Sequence, residues 1–364
     1  MNPYIPDLLP PEPLKIGKFI KLIGNSRAEL ARYDGILQGL PNPGLLLSPL
    51  ITHEAVESSK IEGTYTTMEE VLSFEAAPSR KNPKFDDIEE VLNYRKALLY
   101  ASETLRERNF SLFTLREIHS ILLDGVRGQD KARGNFRNKQ VFIGARGQSI
   151  EQARFIPPEP LAVPALMENL VEYYLSDDEI DCLIQLAVIH AQFEIIHPFE
   201  DGNGRIGRML VPLFLFEKKQ LFSPTFYISA FFEKNRDEYT GRLNRITSAN
   251  DWEGWIAFFL NAVTQQAKDN NRKAKLILEL YNDKKERILK ATDSKHTIKI
   301  LDALFHKPAF TSAEFARLTQ MPRATIARIL ESLEKEAIIK TIRPSSGRQP
   351  ALMIFPKLIA ITDS

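Results

Sequence analysis

Apolar residues recur at helical spacing from Ile16 to about Leu37, and Pro41, Pro43 and Gly44 then end the run. Ahead of it lie Pro3, Pro6, Pro10, Pro11 and Pro13, which predict an extended arm. Ser48–Leu72 reads as a helix, a bend at Gly63-Thr64 and a second helix. Thr66 or Thr67 caps that second helix, with Glu69 and Glu70 in its first turn. Asp86–Arg106 and Thr114–Leu123 continue the helical pattern. It changes at Asp130–Pro158. There Gln140–Ile143 and Ala153–Ile156 read as two short strands around a turn at Gly144–Gly147, ended by Pro157-Pro158.

Helix resumes at Val163–Leu175. Asp181–Ile196 is apolar nearly all round, which places it at the centre of a domain. His197–Gly204 interrupts it, and a second apolar helix, Ile206–Phe216, follows. Glu233–Leu243, Trp252–Ala262 and a long polar stretch, Gln265–Lys290, are further helices.

Ala291–Lys295 reads as a boundary. Beyond it come helices at Thr297–Phe305, Ser312–Leu318 and Arg323–Glu336, the last two joined through Met321-Pro322. Strands at Ile338–Arg343 and Leu352–Phe355 flank Ser345-Ser346-Gly347. That order predicts a winged helix-turn-helix, with Arg323, Thr325 and Arg328 on the recognition helix. Lys340, Arg343 and Arg348 fall on or near the wing. The fold class is mainly α.

Composition narrows the chemistry. The chain has 364 residues, 43% hydrophobic and 26% charged, as expected of a folded globular protein. Its net charge of +1 excludes a basic coat over the whole surface. The segment from 292 to 364 holds 11 Lys and Arg against 7 Asp and Glu, so any DNA contact belongs there. Cys182 is the single cysteine, which excludes an intramolecular disulfide framework and fits a reducing cytoplasm. Neither a signal peptide nor an uninterrupted apolar span is visible, so no membrane partner is expected.

The chemistry concentrates in HPFEDGNGRIGR, residues 197 to 208. Gly202, Asn203 and Gly204 permit close backbone approach at the start of a helix, where free N–H groups make an anion site. Arg205 and Arg208 are three apart and suit phosphate oxygens. Asp201 is a hard oxygen ligand suited to Mg²⁺, and His197 is the base available near neutral pH. An interhelical turn with two salt-bridged arginines explains the glycines and arginines but not a base and an acid beside them. Gly202-x-Gly204-x-x-Gly207 matches the dinucleotide fingerprint literally, but a helix precedes it where that motif needs a strand.

These residues resemble the Fic family signature, H-P-F-x-D/E-G-N-G-R-x-x-R, and the resemblance extends over about Ser48–Ala262. It implies a Fic-type helical core that transfers AMP from ATP to a Ser, Thr or Tyr hydroxyl of a target protein. His197 would be the catalytic base and Asp201 the Mg²⁺ ligand. ATP would be held by Glu62, His197, Asp201, Gly202, Asn203, Gly204, Arg205, Ile206, Gly207, Arg208 and Tyr239. Within that set the glycine loop and Asn203 would cradle the phosphates, Arg205 and Arg208 would take the β- and γ-phosphates, and Tyr239 would line the adenine pocket. The hairpin 140–156, with Val141, Phe142, Ile143 and Gly144, would be a flap that aligns the target by strand addition.

Ser58-Ser-Lys-Ile-Glu62-Gly63 is similar to the family's inhibitory motif, S/T-x-x-x-E-G/N. Ser58 and Glu62 share a helix face, and Gly63 can end that helix in the left-handed region. The resemblance implies that Glu62 pairs with Arg208 and holds ATP in an unproductive pose. The domains expected are 1–110, helical and carrying the inhibitory helix at about 48–63; 111–290, the core with its flap; and 291–364, the winged helix. The family also implies a homodimer. Two other readings fit the same residues. One is a related enzyme moving another phosphate-containing group, such as UMP or phosphocholine. The other is a DNA-binding regulator with a nucleotide-sensing core.

Overall fold

The computed structural model describes residues 2–11, 14–144, 147, 149–177, 181–292, 296–347 and 349–364. Pro13, the turn residues Ala145, Arg146 and Gln148, the boundary residues Asp293, Ser294 and Lys295, and Arg348 of the wing lie outside them. The fold is mainly helical, 66% helix with one small sheet. Among the described residues no helix is long and apolar enough to cross a membrane.

α1 (Ile20–Gly39) buries Leu30, Tyr33 and Leu37, one face at helical spacing. α2 (Pro43–Leu46) is one turn capped by Asn42. α3 (Ser48–Ile61) ends before Gly63, which takes φ +86°. α4 (Met68–Ala76) starts on a capping box: Glu70 N donates to Thr67 Oγ1 at 3.2 Å, and Thr67 N donates to Glu70 Oε2 at 2.8 Å. Thr67 is therefore the cap. α5 (Phe85–Glu107) and α6 (Leu112–Leu122) pack on each other, and α5 also packs on α3.

Segment 140–156 departs from the expected hairpin. Among its described residues it has a single bridge, Ile143 to Phe155, and a 3-10 turn at Ile150–Gln152. Pro157 and Pro158 have no N–H with which to extend a ladder. The Gln140 side chain caps the Pro157 carbonyl at 2.9 Å instead.

α7 (Val163–Leu175), α8 (Cys182–Ile196) and α9 (Asn203–Glu217) follow. α8 packs between α7 and α9 and has nearly every side chain buried. The helix expected at Glu233–Leu243 is two, α10 (Ser229–Lys234) and α11 (Arg236–Ala249), broken at Asn235. Conversely, the two expected at Trp252–Ala262 and Gln265–Lys290 are one, α12 (Trp252–Thr292). Between them stand Val263 and Thr264, with neither Gly nor Pro to break the helix, so only the polarity of its face changes there.

The last elements are α13 (Thr297–His306), β1 (Ala309–Phe310), α14 (Ser312–Thr319), α15 (Arg323–Lys335), β2 (Lys340–Arg343), β3 (Leu352–Ile354) and α16 (Pro356–Asp363). The strands form an antiparallel sheet in the order β1-β3-β2, with Ala309 opposite Ile354 and Thr341 opposite Met353. β1 and α16 have no counterpart in the sequence reading. Both are short, and both are packed rather than free. β1 lies on α4, and α16 lies on α3, α4 and α12.

Candidate functional site

α8 ends because His197 adopts φ 50° in the left-handed region, and its N–H closes on Phe193 O at 3.0 Å. A non-glycine residue there is strained and needs support. Arg137, 2% exposed, supplies it. Its Nε donates to His197 O at 2.9 Å, and its Nη2 reaches the carbonyls of Pro158 and Ile196. The carbonyls of Ile196 and His197 are among those the C-terminus of α8 leaves unbonded.

The loop then turns back into α9 at Gly202, φ 82°. Asn203 staples it: Phe199 N donates to Asn203 Oδ1 at 2.8 Å, and Asn203 Nδ2 donates to Phe199 O at 2.9 Å. Its amide is thus engaged within the loop, where the sequence reading had it facing phosphates. His119 of α6 stacks on Phe199 at 3.8 Å. Its Nδ1 accepts from Gly134 N at 2.9 Å, so the neutral ring donates from Nε2 to Asp201 O at 3.1 Å. Burial pushes this imidazole down to about 4. The first intrahelical bond of α9 runs from Ile206 N to Gly202 O, which leaves the N–H groups of residues 203 to 205 outside the helix ladder.

Glu62 presses into that N-terminus. A Cβ on Gly204 would sit 2.1 Å from Glu62 Oε1, so only glycine admits the carboxylate there. Glu62 Oε1 accepts from Arg208 Nη2 at 2.7 Å. Arg208, 1% exposed, is also held by Ser58, through Nε to Oγ at 2.9 Å and Nη2 to the carbonyl at 2.8 Å. Burial alone would raise the Glu62 carboxyl, but the charge and hydrogen bond of Arg208, with the electrostatic pull of Arg205 and His197, together outweigh it and hold it below the usual range. The Arg208 guanidinium is correspondingly raised. An internal anion therefore fills the cationic end of α9.

Arg205 is placed differently from the expectation. It is 3% exposed and turns to Glu90 of α5, Nη1 to Oε2 at 3.3 Å, and to Asp201 at 3.2 Å. Its Nε has no partner among the described residues. Glu90, itself buried, also accepts from Thr64 Oγ1 at 2.7 Å and pairs with Arg127 at 3.1 Å.

Asp201 Oδ2 packs over Gly128, where a Cβ would lie 2.8 Å away. No group of three or more His, Cys, Asp or Glu that could hold a metal occurs among the described residues. One half-buried carboxylate fits Mg²⁺ that brings its remaining ligands as phosphate oxygens and water, not an ion caged by protein alone.

A cavity of about 450 Å³ gathers much of this. It is lined by Glu62, His197, Gly204, Arg208 and Tyr239, and on the opposite side by Phe142, Ile143 and Gly144. Asp201, Gly202, Asn203, Arg205, Ile206, Gly207, Ser58, Gly63 and Val141 are not among its lining residues. His197 is pushed down to about 4, chiefly by burial against the upward pull of Glu62, so it is a neutral base at pH 7. Tyr239 donates its hydroxyl to His190 Nε2 at 2.9 Å, because His190 Nδ1 donates to Gly207 O at 2.9 Å. Tyr239 also stacks on Phe232 at 4.4 Å, so it is core and cavity wall at once. A larger open groove of about 850 Å³ lies between Thr67–Lys84 and Arg343, but no histidine is among its described lining residues.

Glu90, Arg137, His119 and Glu194 escaped the sequence reading. Glu194 had a visible signal, being the one acid in the otherwise apolar α8. The other three lie in ordinary amphipathic or loop sequence.

Comparison with known proteins places this geometry. The family model described as Fic/DOC family N-terminal matches residues 20–103, and the one described as Fic/DOC family matches residues 109–215. A probable protein adenylyltransferase of Aquifex aeolicus is 32% identical over 117 residues, 32% of this chain and 32% of that protein. The protein adenylyltransferase Fic of Culex quinquefasciatus is 31% identical over 160 residues, 42% of this chain and 29% of that protein. The matched segments thus span about a third of the length of these relatives. A Fic family protein from Desulfovibrio desulfuricans G20 has the same fold over 98% of both chains, with a TM-score of 0.59 and 20% identity.

Proposed function

Because the chain belongs to the Fic/DOC family, we propose that it is a protein adenylyltransferase, moving AMP from ATP to a protein hydroxyl and restrained by its own Glu62. The observation that carries this reading is a cavity lined by both a neutral histidine and a helix N-terminus that an internal carboxylate fills. The naming of relatives as protein adenylyltransferases supports it.

His197 takes the proton from the target hydroxyl, whose oxygen attacks the α-phosphorus. The new O–P bond forms as the bond to the bridging oxygen of the β-phosphate breaks, and pyrophosphate leaves. The free N–H groups of residues 203 to 205 receive phosphate oxygens. Asp201 would hold Mg²⁺, which supplies charge neutralisation to the phosphates. Arg208 meets the γ-phosphate once Glu62 withdraws. Arg205, tied to Glu90, shapes the loop and adds positive potential from behind. Phe142, Ile143 and Gly144, at the cavity mouth, guide the target segment.

A second proposal concerns residues 291–364, read as a winged helix. α15 presents Arg323 and Arg328 to solvent, which suits a DNA backbone. For the first proposal the test is incubation of the Glu62→Gly protein with ATP labelled at the α-phosphate, followed by mass spectrometry of the labelled residue. Label from the γ-phosphate alone would make it a phosphotransferase instead.

A further inference from the structure

Arg208 is almost wholly out of solvent, and a buried guanidinium needs a counter-charge. Two carboxylates share its field, Glu62 and Glu194. They lie on one face of α9 in two berths that glycine leaves open. A Cβ on Gly204 would meet Glu62 Oε1 at 2.1 Å, and a Cβ on Gly207 would meet Glu194 Oε1 at 2.2 Å. The berths are one helical turn apart, and the Arg208 guanidinium lies beside the first, its Nη1 2.9 Å from where a Gly204 Cβ would sit.

They are used unequally. Glu62 bonds Arg208 at 2.7 Å, whereas Glu194 Oε1 is shielded from water with no hydrogen-bond partner among the described residues. A native structure rarely leaves such an atom idle without a role. Glu194 also lines the cavity, beside His197 and Tyr239.

We propose that Glu194 is the reserve counter-charge of Arg208, holding the guanidinium in place when Glu62 withdraws. The proposal rests on Arg208 meeting the γ-phosphate. Burial, reinforced by the Glu62 charge and opposed by Arg208, pushes the Glu194 carboxyl up to about 7. Two carboxylates around one cation do not both ionise readily. When Glu62 leaves, that repulsion goes with it. Glu194 then gives its proton to solvent through the cavity and becomes the anion that faces Arg208. The guanidinium thus keeps a counter-charge one turn along α9 while the place Glu62 left is open to phosphate. Glu194 is a positioning residue in this account, since it acts on the nucleotide through Arg208.

The test measures binding, not transfer. The full chain carrying Glu62→Gly and His197→Ala is titrated calorimetrically with ATP and with ADP, each with Mg²⁺. Glu194→Gln and Arg208→Ala are then added separately. Arg208→Ala should erase the preference for ATP over ADP. Glu194→Gln should cut that preference by about tenfold with ADP affinity nearly unchanged, the worth of one oriented charge-assisted contact. If Arg208→Ala erases the preference and Glu194→Gln leaves it within about twofold, the proposal is overturned and the reading of Arg208 stands. If neither change moves it, Arg208 does not meet the γ-phosphate, and the proposal falls with that reading. Should the Gln protein fail to fold, Gly207→Ala carries the test by driving Glu194 from its berth. An unchanged ratio there is equally fatal.

Discussion

Glu90 of α5 and Arg205 of α9 meet at 3.3 Å with both side chains nearly free of solvent. The contact joins the N-terminal helices to the signature loop, and Thr64 and Arg127 complete it. Removing one partner of such a pair strands a charge. Glu90→Gln should therefore cost about 3 kcal/mol in urea unfolding, with the Glu90→Gln/Arg205→Ala protein losing less than the sum of the singles. A loss below about 0.5 kcal/mol would show that the pair is no anchor.

Glu62→Gly should raise the rate of AMP transfer, self-labelling included, well above the parent protein. Withdrawal of the carboxylate frees the N-terminus of α9 and one N–H of Arg208 Nη2, whose other bond, to Ser58 O, stays. The gain lies in orientation, so rate should change more than ATP affinity. Adding Arg208→Ala should silence it. A slow single variant with a lowered melting temperature would mean that the Glu62–Arg208 pair serves stability alone.

His197→Ala should lower transfer by about 10²–10⁴-fold while ATP still binds. The base has a further signature. Since burial pushes its imidazole down to about 4, it is already deprotonated at pH 6. Transfer by the Glu62→Gly protein should stay level from pH 8 to about 5.5 and decline below that. A decline centred near an ordinary histidine value of about 6.5 would contradict the burial argument.

Glu54, on α3 eight residues before Glu62, accepts from Ser229 N at 3.1 Å, from Ser229 Oγ at 2.5 Å and from Tyr94 OH at 3.2 Å. Burial pushes its carboxyl up to about 7 despite these bonds. The folded protein thus binds a proton that the unfolded chain releases near pH 4.5. Its contribution is complete below that pH and is lost as pH rises to about 7, a change of roughly 3 kcal/mol. Glu54→Gln should remove this slope, which urea unfolding at pH 5 and pH 8 would reveal. Equal slopes in both proteins would place the ionisation elsewhere.

Binding of a random DNA duplex at low salt should drop with Arg323→Ala or Arg328→Ala and fade steeply as salt rises. No retained duplex at micromolar protein would remove DNA from the account.

What could be read from the sequence was whatever is local. Val163–Leu175 was placed to the residue because Pro164 stands at its start and its apolar period is regular. The Ser58–Glu62–Gly63 turn was legible because its signal lies within six residues. Glu90 was not, since its partner Arg205 is 115 residues away and nothing in an amphipathic helix marks the position that turns inward. The contact of Arg205 is hidden for the same reason: spacing puts it beside Arg208 but does not say that a buried acid pairs with it. Alternation also suggests fuller strands at the flap than its bridge from Ile143 to Phe155, since it does not show that the 3-10 turn Ile150–Gln152 takes up the chain just ahead of the second strand.

α12 runs for 41 residues without a break, about 60 Å at 1.5 Å per residue. Near one end Trp255 Nε1 donates to Ala187 O of α8 at 2.8 Å, one turn below His190. Near the other Arg287 donates to Glu336 O, just past α15, at 2.7 Å. A continuous helix does not absorb a displacement by bending at one joint. Were the rod to pivot at its Trp255 end, a tilt of about 5° would displace the Arg287 end by about 5 Å. The wall behind Tyr239 and roughly the last fifth of the chain are in this sense braced on one strut.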